Sequence, residues 1–182
     1  MPYAREEEMY PLVCAWLESF LRGKHHGFTI HVFDASRKTL SRLIEETGLI
    51  ANLPAEWPSW DVHVDIVGFA ISKRRTDLAF VECKNMPITL GHLSQLLGYS
   101  MVARPRYSFI VSPQGPSGSL KSLLITFRRL DILTYYQHRG RLPRSLVIAR
   151  WNETARTLDY GSLITGDTNY LGDLAWLAVV VP

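Results

Sequence analysis

The chain has 182 residues, 47% of them hydrophobic and 20% charged, with 20 Lys and Arg against 17 Asp and Glu. At roughly 100–200 residues per domain this is one domain with a packed core, and 11% aromatic residues exclude a disordered or low-complexity chain. A formal charge of +3 suits a nucleic-acid partner but is shared by many proteins that never touch one, so local placement of charge has to carry the argument.

From Glu6 to Leu21 the apolar residues Met9, Leu12, Val13, Trp16, Leu17 and Phe20 follow helical spacing. Glu6, Glu7 and Glu8 stand where the positive end of the helix dipole favours acids, and Pro11 places the start of the regular helix near itself. Phe28 to Phe33 alternates like a strand, Ser36 to Ile50 is a weaker helix, and Asn52 to Ser59, with Pro54 and Pro58, is a loop. The densest β signal follows. Asp61 to Gly68 alternates, a turn carries Lys73, Arg74 and Arg75, and Asp77 to Lys84 completes a hairpin. Pro87 breaks the chain, Thr89 caps, and Leu90, Leu93, Leu96 and Leu97 give a helix as far as Ala103. Tyr107 to Ser112 reads as a strand, Ser119 to Tyr136 as a helix on Leu120, Leu123, Leu124, Phe127 and Leu130, and Ser145 to Trp151 with Thr157 to Leu163 as a closing strand pair. The apolar tail from Leu171 to Val181 is either a last buried strand or a patch for a second copy. The fold class is α/β, with helices covering both faces of the sheet.

Cys14 and Cys83 fall in apolar segments, where a thiol is a small hydrophobe, so no disulfide framework is implied. His25, His26, His31, His63, His92 and His138 have no partners at zinc-ligand intervals. The amino terminus, MPYAREEEMY, is acidic where a signal peptide is basic, and no apolar run approaches the ~20 residues of a membrane span. A cytoplasmic location without membrane contact is expected.

Period 2 places Glu82 and Lys84 on one face of a strand, roughly 6.6 Å apart along it, with Cys83 on the other. Glu-x-Lys arises by chance in many strands, but this one is apolar up to Val81 and then ends in charge, where α/β sheets place functional groups. Asp65 stands among Val62, Val64, Ile66 and Val67, where β propensity and carboxylate desolvation both disfavour it, and it therefore calls for a partner such as a metal ion.

Asp65, followed by Glu82-Cys83-Lys84 with a helix before and a helix after, resembles the PD-(D/E)XK nuclease superfamily. The proline that usually precedes the aspartate is replaced by Val64. The resemblance implies a restriction-endonuclease-like αβββαβ core over about residues 6–112, a mixed central sheet, and a C-terminal helix plus strands over 117–182, all one nuclease-like domain. It further implies Mg2+, with Mn2+ as a substitute, held by Asp65, Glu82 and the backbone carbonyl of Cys83, with Lys84 orienting the attacking water. Gln95 and Tyr99 match the Gln-x-x-x-Tyr element of RecB-like members and share a helix face; Gln95 is then a catalytic candidate and Tyr99 a nucleotide contact, the alternative being a surface amide and a half-buried ring. Many members add a glutamate from the first helix, for which Glu6 lies nearest the apolar face and Glu8 next.

Lys73, Arg74 and Arg75, with Arg104, Arg106, Arg128, Arg129, Arg139, Arg141 and Arg144, either track phosphates or form ordinary solvated turns. Trp57 and Trp60 either line a base-stacking groove or close the core. The expected function is hydrolysis of phosphodiester bonds in DNA more than in RNA, with a homodimer or partner proteins supplying specificity. The alternatives are a catalytically silent nucleic-acid-binding or assembly module of the same fold, and a structural domain whose acids form a surface cluster.

Overall fold

The computed structural model describes residues 3–137 and 143–166. A 3-10 turn, Glu6–Met9, leads into α1 (Tyr10–Lys24), with Pro11 in the first turn where its missing N–H costs nothing. Then follow β1 (Thr29–Asp34), α2 (Leu40–Thr47), β2 (Ile66–Ile71), β3 (Thr76–Cys83), α3 (Leu90–Ala103) and β4 (Tyr107–Ser112). The remaining elements are α4 (Gly118–Lys121), β5 (Thr134–Tyr136), β6 (Arg144–Ser145), β7 (Val147–Asn152) and β8 (Thr157–Thr165).

Six strands form one mixed sheet in the order β1-β2-β3-β4-β7-β8. β1, β2 and β3 are antiparallel, β4 and β7 continue parallel to β3, and β8 returns antiparallel. β3 and β4 are therefore hydrogen-bonded on both sides and covered on both faces, which explains their near-continuous apolar composition. On one face Met9, Val13, Leu17 and Leu21 pack against Ile66, Ala79, Val81 and Phe109; on the other Leu43, Ile44, Leu93 and Leu96 pack against Phe69, Phe80, Ile110 and Ile148. Helices thus lie on both faces, as the near-continuous apolar runs of β3 and β4 require. No helix among the described residues is long and apolar enough to cross a membrane.

The structure corrects three boundaries. The expected strand over Asp61 to Gly68 begins only at Ile66 and runs on to Ile71; upstream, the carbonyls of Val62 and Asp65 accept from Leu40 and Ala35, so this stretch serves α2 and its lead-in. Asp65 consequently precedes β2. The expected helix over Ser119 to Tyr136 stops at Lys121, followed by a π-turn (Ser122–Thr126) and Arg128 in the left-handed region at φ 55. Leu120 and Leu124 are buried as their spacing demands, but Phe127 is exposed, and the β-branched and aromatic run Thr134–Tyr136 pairs with Arg144–Ser145. The strand expected over Ser145 to Trp151 is split at Leu146, whose N–H donates to the Leu133 carbonyl at 2.9 Å. Arg139, Arg141, His138 and the tail Leu171 to Val181 lie outside the described residues.

Of the two tryptophans, Trp60 is buried in the core and Trp57 packs partly against it. Cys14 and Cys83 are free thiols.

β2 approaches α1 closely at Gly68, where an added Cβ would come within 2.6 Å of Leu21 Cδ1 and 3.2 Å of Leu17 Cδ2. Gly68→Val is expected to destabilise the fold by about 1–3 kcal/mol through overpacking, measured by urea denaturation. An unchanged midpoint would mean that α1 does not seat on β2 this tightly.

Candidate functional site

The last registered pair of β2 and β3 is Ile66 with Val81, so the next step outward brings Asp65 and Glu82 together where β3 ends. β3 sits between β2 and β4, and the ladder continues one residue further through a hydrogen bond from Lys84 N to the Val111 carbonyl at 2.8 Å. The backbone that carries the carboxylates is thereby fixed. Glu82 is only 4% exposed.

Asp65 accepts two hydrogen bonds, from the Tyr10 hydroxyl to Oδ1 at 3.0 Å and from Cys83 N–H to Oδ2 at 2.8 Å. Lys84 Nζ lies between two acids, 3.0 Å from Glu82 Oε1 and 3.1 Å from Glu6 Oε1. Glu6 also accepts from Asn85 N–H through Oε2 at 3.2 Å and so sits beside Lys84, while Glu8 accepts from Ala4 N–H. Asn85 donates through Nδ2 to the Tyr3 carbonyl, and Trp151 donates to the Tyr3 hydroxyl, so the chain before α1 is tied down at the site.

Burial raises the pKa of Glu82 to about 7, with the neighbouring Asp65 charge adding to it and Lys84 opposing it. Asp65 is raised for the same first reason, against the opposing effects of Cys83 N–H, Lys84 and Tyr10. Burial alone would lower the Lys84 pKa, but Glu82 and Asp65 outweigh it and hold the ammonium charged. Burial and Asp65 push the Tyr10 phenol up, so it stays a donor, and the same two causes keep the Cys83 thiol protonated.

Glu82 Oε2 is buried without a hydrogen-bond partner, as is Asn85 Oδ1. Among the described residues no group of three or more His, Cys, Asp and Glu side chains is placed to hold a metal ion. Asp65 and Glu82 supply two adjacent carboxylates, one with a bare oxygen, and such hard oxygen donors are the type that divalent cations prefer.

Gln95 and Tyr99 do share one face of α3, and Gln95 Nε2 donates to the Tyr99 hydroxyl at 3.2 Å. Among the described residues Gln95 makes no hydrogen bond with the acidic cluster. The α3 residue that feels the cluster is His92, whose pKa is lowered by burial and then by the Lys84 charge, and which completes a capping box with Thr89. Lys73, Arg74 and Arg75 lie in the β2–β3 turn, at the other end of the hairpin from Glu82. Arg75 pairs there with Asp77 at 3.0 Å. Sequence spacing had not singled out Tyr10 or Asn85. Tyr10 stands four residues after Glu6, a spacing that puts both on one side of the chain's first turns, and that was the available signal.

In comparisons with family models, with curated proteins and with solved structures, the chain matches none of them.

The raised Glu82 pKa fixes a sign for stability. The folded state holds a proton that the unfolded chain has released, so stability should fall as pH rises from about 4.5 to about 7. Glu82→Gln should flatten that slope and leave the protein as stable or more stable at pH 7.5, whereas Asp65→Asn leaves one neutral amide oxygen where two carboxylate oxygens accept from Cys83 N–H and Tyr10, and should cost about 1–3 kcal/mol. Denaturation midpoints across pH check both; an equal slope in wild type and Glu82→Gln would show that Glu82 is not the strained group.

Proposed function

We propose that the chain is a Mg2+-dependent nuclease of the PD-(D/E)XK kind, its α1, β1 to β3, α3 and β4 forming a restriction-endonuclease-like core, and that it hydrolyses phosphodiester bonds in cytoplasmic DNA. The observation that supports this most is the meeting of Asp65, Glu82 and Lys84 at the end of β3, with Glu82 Oε2 buried and unpartnered. Phosphodiester hydrolysis needs an activated water and a place for developing negative charge. A divalent cation held by Asp65, Glu82 and the Cys83 carbonyl would supply both, by lowering the water pKa and by polarising the phosphate.

The chain's own residues do the rest. Tyr10 and the Cys83 N–H hold Asp65 in one orientation from two sides. Lys84 stays protonated between its two acids and offers its charge to a phosphate oxygen as negative charge grows there. Glu6 positions Lys84 and anchors the backbone at Asn85. Gln95 and Tyr99, hydrogen-bonded to each other on α3, would contact a phosphate or metal-bound water and a nucleotide respectively.

Cleavage of labelled single-stranded, duplex, flapped and four-way-junction DNA with Mg2+, Mn2+ or EDTA tests the proposal. Metal-dependent cutting is expected, lowered by roughly 100-fold or more in Glu82→Gln and Lys84→Ala and by about 10-fold in Tyr10→Phe, which leaves Asp65 in place but loosely held. Retained binding with no cutting of any substrate would point to the catalytically silent module.

A further inference from the structure

The start of β3 and β4, opposite the acidic cluster, carries a cavity of about 210 Å3. Three guanidiniums line it, those of Arg104, Arg106 and Arg144, against two acids, Asp77 and Glu56, with Tyr136 and Trp60 among the remaining wall. We propose that this cavity is a phosphate-binding site: it takes a phosphoryl group, carried either by a small phosphomonoester or by a nucleic-acid backbone.

Four observations support it. Arg144 is held rigidly, Nη1 donating to the carbonyls of Arg104 at 2.5 Å and Pro105 at 3.2 Å, and its guanidinium carbon lies 5.1 Å from the centre of the Tyr136 ring. Arg104 rests against the same ring at 5.6 Å. Two guanidiniums fixed by one aromatic ring lose little side-chain freedom when they meet an anion.

Second, Arg104 ends α3 in the left-handed conformation at φ 50, where glycine or asparagine is the usual residue. The turn leads directly into Pro105 and Arg106, and Arg106 lines the same cavity. Third, the indole N–H of Trp60 is buried in this wall and has no hydrogen-bond partner. It can only donate, and so it suits an acceptor-rich ligand.

Fourth, the charge balance favours an anion. Asp77 is paired by Arg75 at 3.0 Å and by Arg106 at 3.9 Å, and the cavity's other acid, Glu56, is exposed and among the described residues pairs with neither Arg104 nor Arg144, so those two guanidiniums keep their charge for a ligand. Phosphate is preferred over carboxylate because several N–H donors converge on one small cavity, and a phosphoryl group offers three or more acceptor oxygens to them. The five steps from Asp77 to Glu82 span roughly 17 Å of strand, so this site is separate from the acidic cluster and stands or falls without it.

Calorimetric titration of the full chain with inorganic phosphate, at constant ionic strength with chloride as the reference anion, tests the proposal. One saturable site is expected, weakened about tenfold by Arg104→Gln and severalfold by Trp60→Phe, which keeps the ring and removes the donor. Arg37→Gln, at an exposed arginine outside the cavity, should leave it unchanged. Arg104→Gln is expected to unfold near the wild-type temperature, and Trp60→Phe, in the core, at a lower one that still lies well above the titration temperature, so that lost binding is not lost folding. Displacement of phosphate by an eight-residue oligothymidylate would identify a backbone phosphate as the occupant; displacement by thymidine monophosphate alone would identify a small phosphomonoester. Binding no stronger than that of chloride, or equal weakening by Arg37→Gln, would overturn the site.

Discussion

Two carboxylates are held side by side at the end of a strand that cannot move. β3 is bonded to β2 and β4 and packed from both faces, so Asp65 and Glu82 have no freedom to separate, and little water reaches them to screen their repulsion. Lys84 answers part of this charge, and Glu6 in turn shares Lys84. Three carboxylates around one ammonium leave the cluster short of positive charge. A proton on Glu82 is one way to close the deficit, and in the proposed reading a hard divalent cation at its bare Oε2 would be the other. The two would then compete for Glu82, so the chemistry at the site would follow from the architecture of the sheet.

The residues that build this cluster come from widely separated parts of the chain, and the hydrogen bonds extend the constraint outward. Glu6 and Tyr10 bring the start of α1 to the end of β3, and Asn85 draws in Tyr3, which Trp151 of β7 also holds. Opposite this acidic end lie Arg75, Arg104, Arg106 and Arg144. Lys73, Arg74 and Arg75 do not approach the carboxylates, because the hairpin that joins them to Glu82 is extended; the basic turn and the acidic site are its two ends. Any polyanion that meets both must be long or must bend around the domain.

Much of the fold was legible because its signals are local. The capping of α3 by Thr89, the run of β4 and the hairpin between β2 and β3 follow from spacing and turn chemistry that neighbouring residues determine. The failures occur where tertiary contacts decide. Asp61 to Asp65 alternates like a strand, but its carbonyls are claimed by α2 and its lead-in. The apolar period from Leu120 to Leu130 is helical in spacing, yet a left-handed Arg128 and the pairing of Thr134–Tyr136 with Arg144–Ser145 end the helix after one turn. At the site, Asp65, Glu82 and Lys84 could be picked out because charge in an apolar strand is costly and therefore conspicuous. Tyr10 could not, because a tyrosine at a helix start is ordinary until a buried carboxylate is known to lie 3.0 Å away.

The most direct test of this electrostatic deficit is an NMR titration of the Glu82 side-chain carboxyl, without and with Mg2+. Titration near pH 7 in EDTA is expected, with a drop of at least about two units when Mg2+ is added, since a cation at Oε2 stabilises the ionised form. A carboxyl that titrates at the ordinary glutamate value in EDTA, or whose titration Mg2+ does not move, would contradict it.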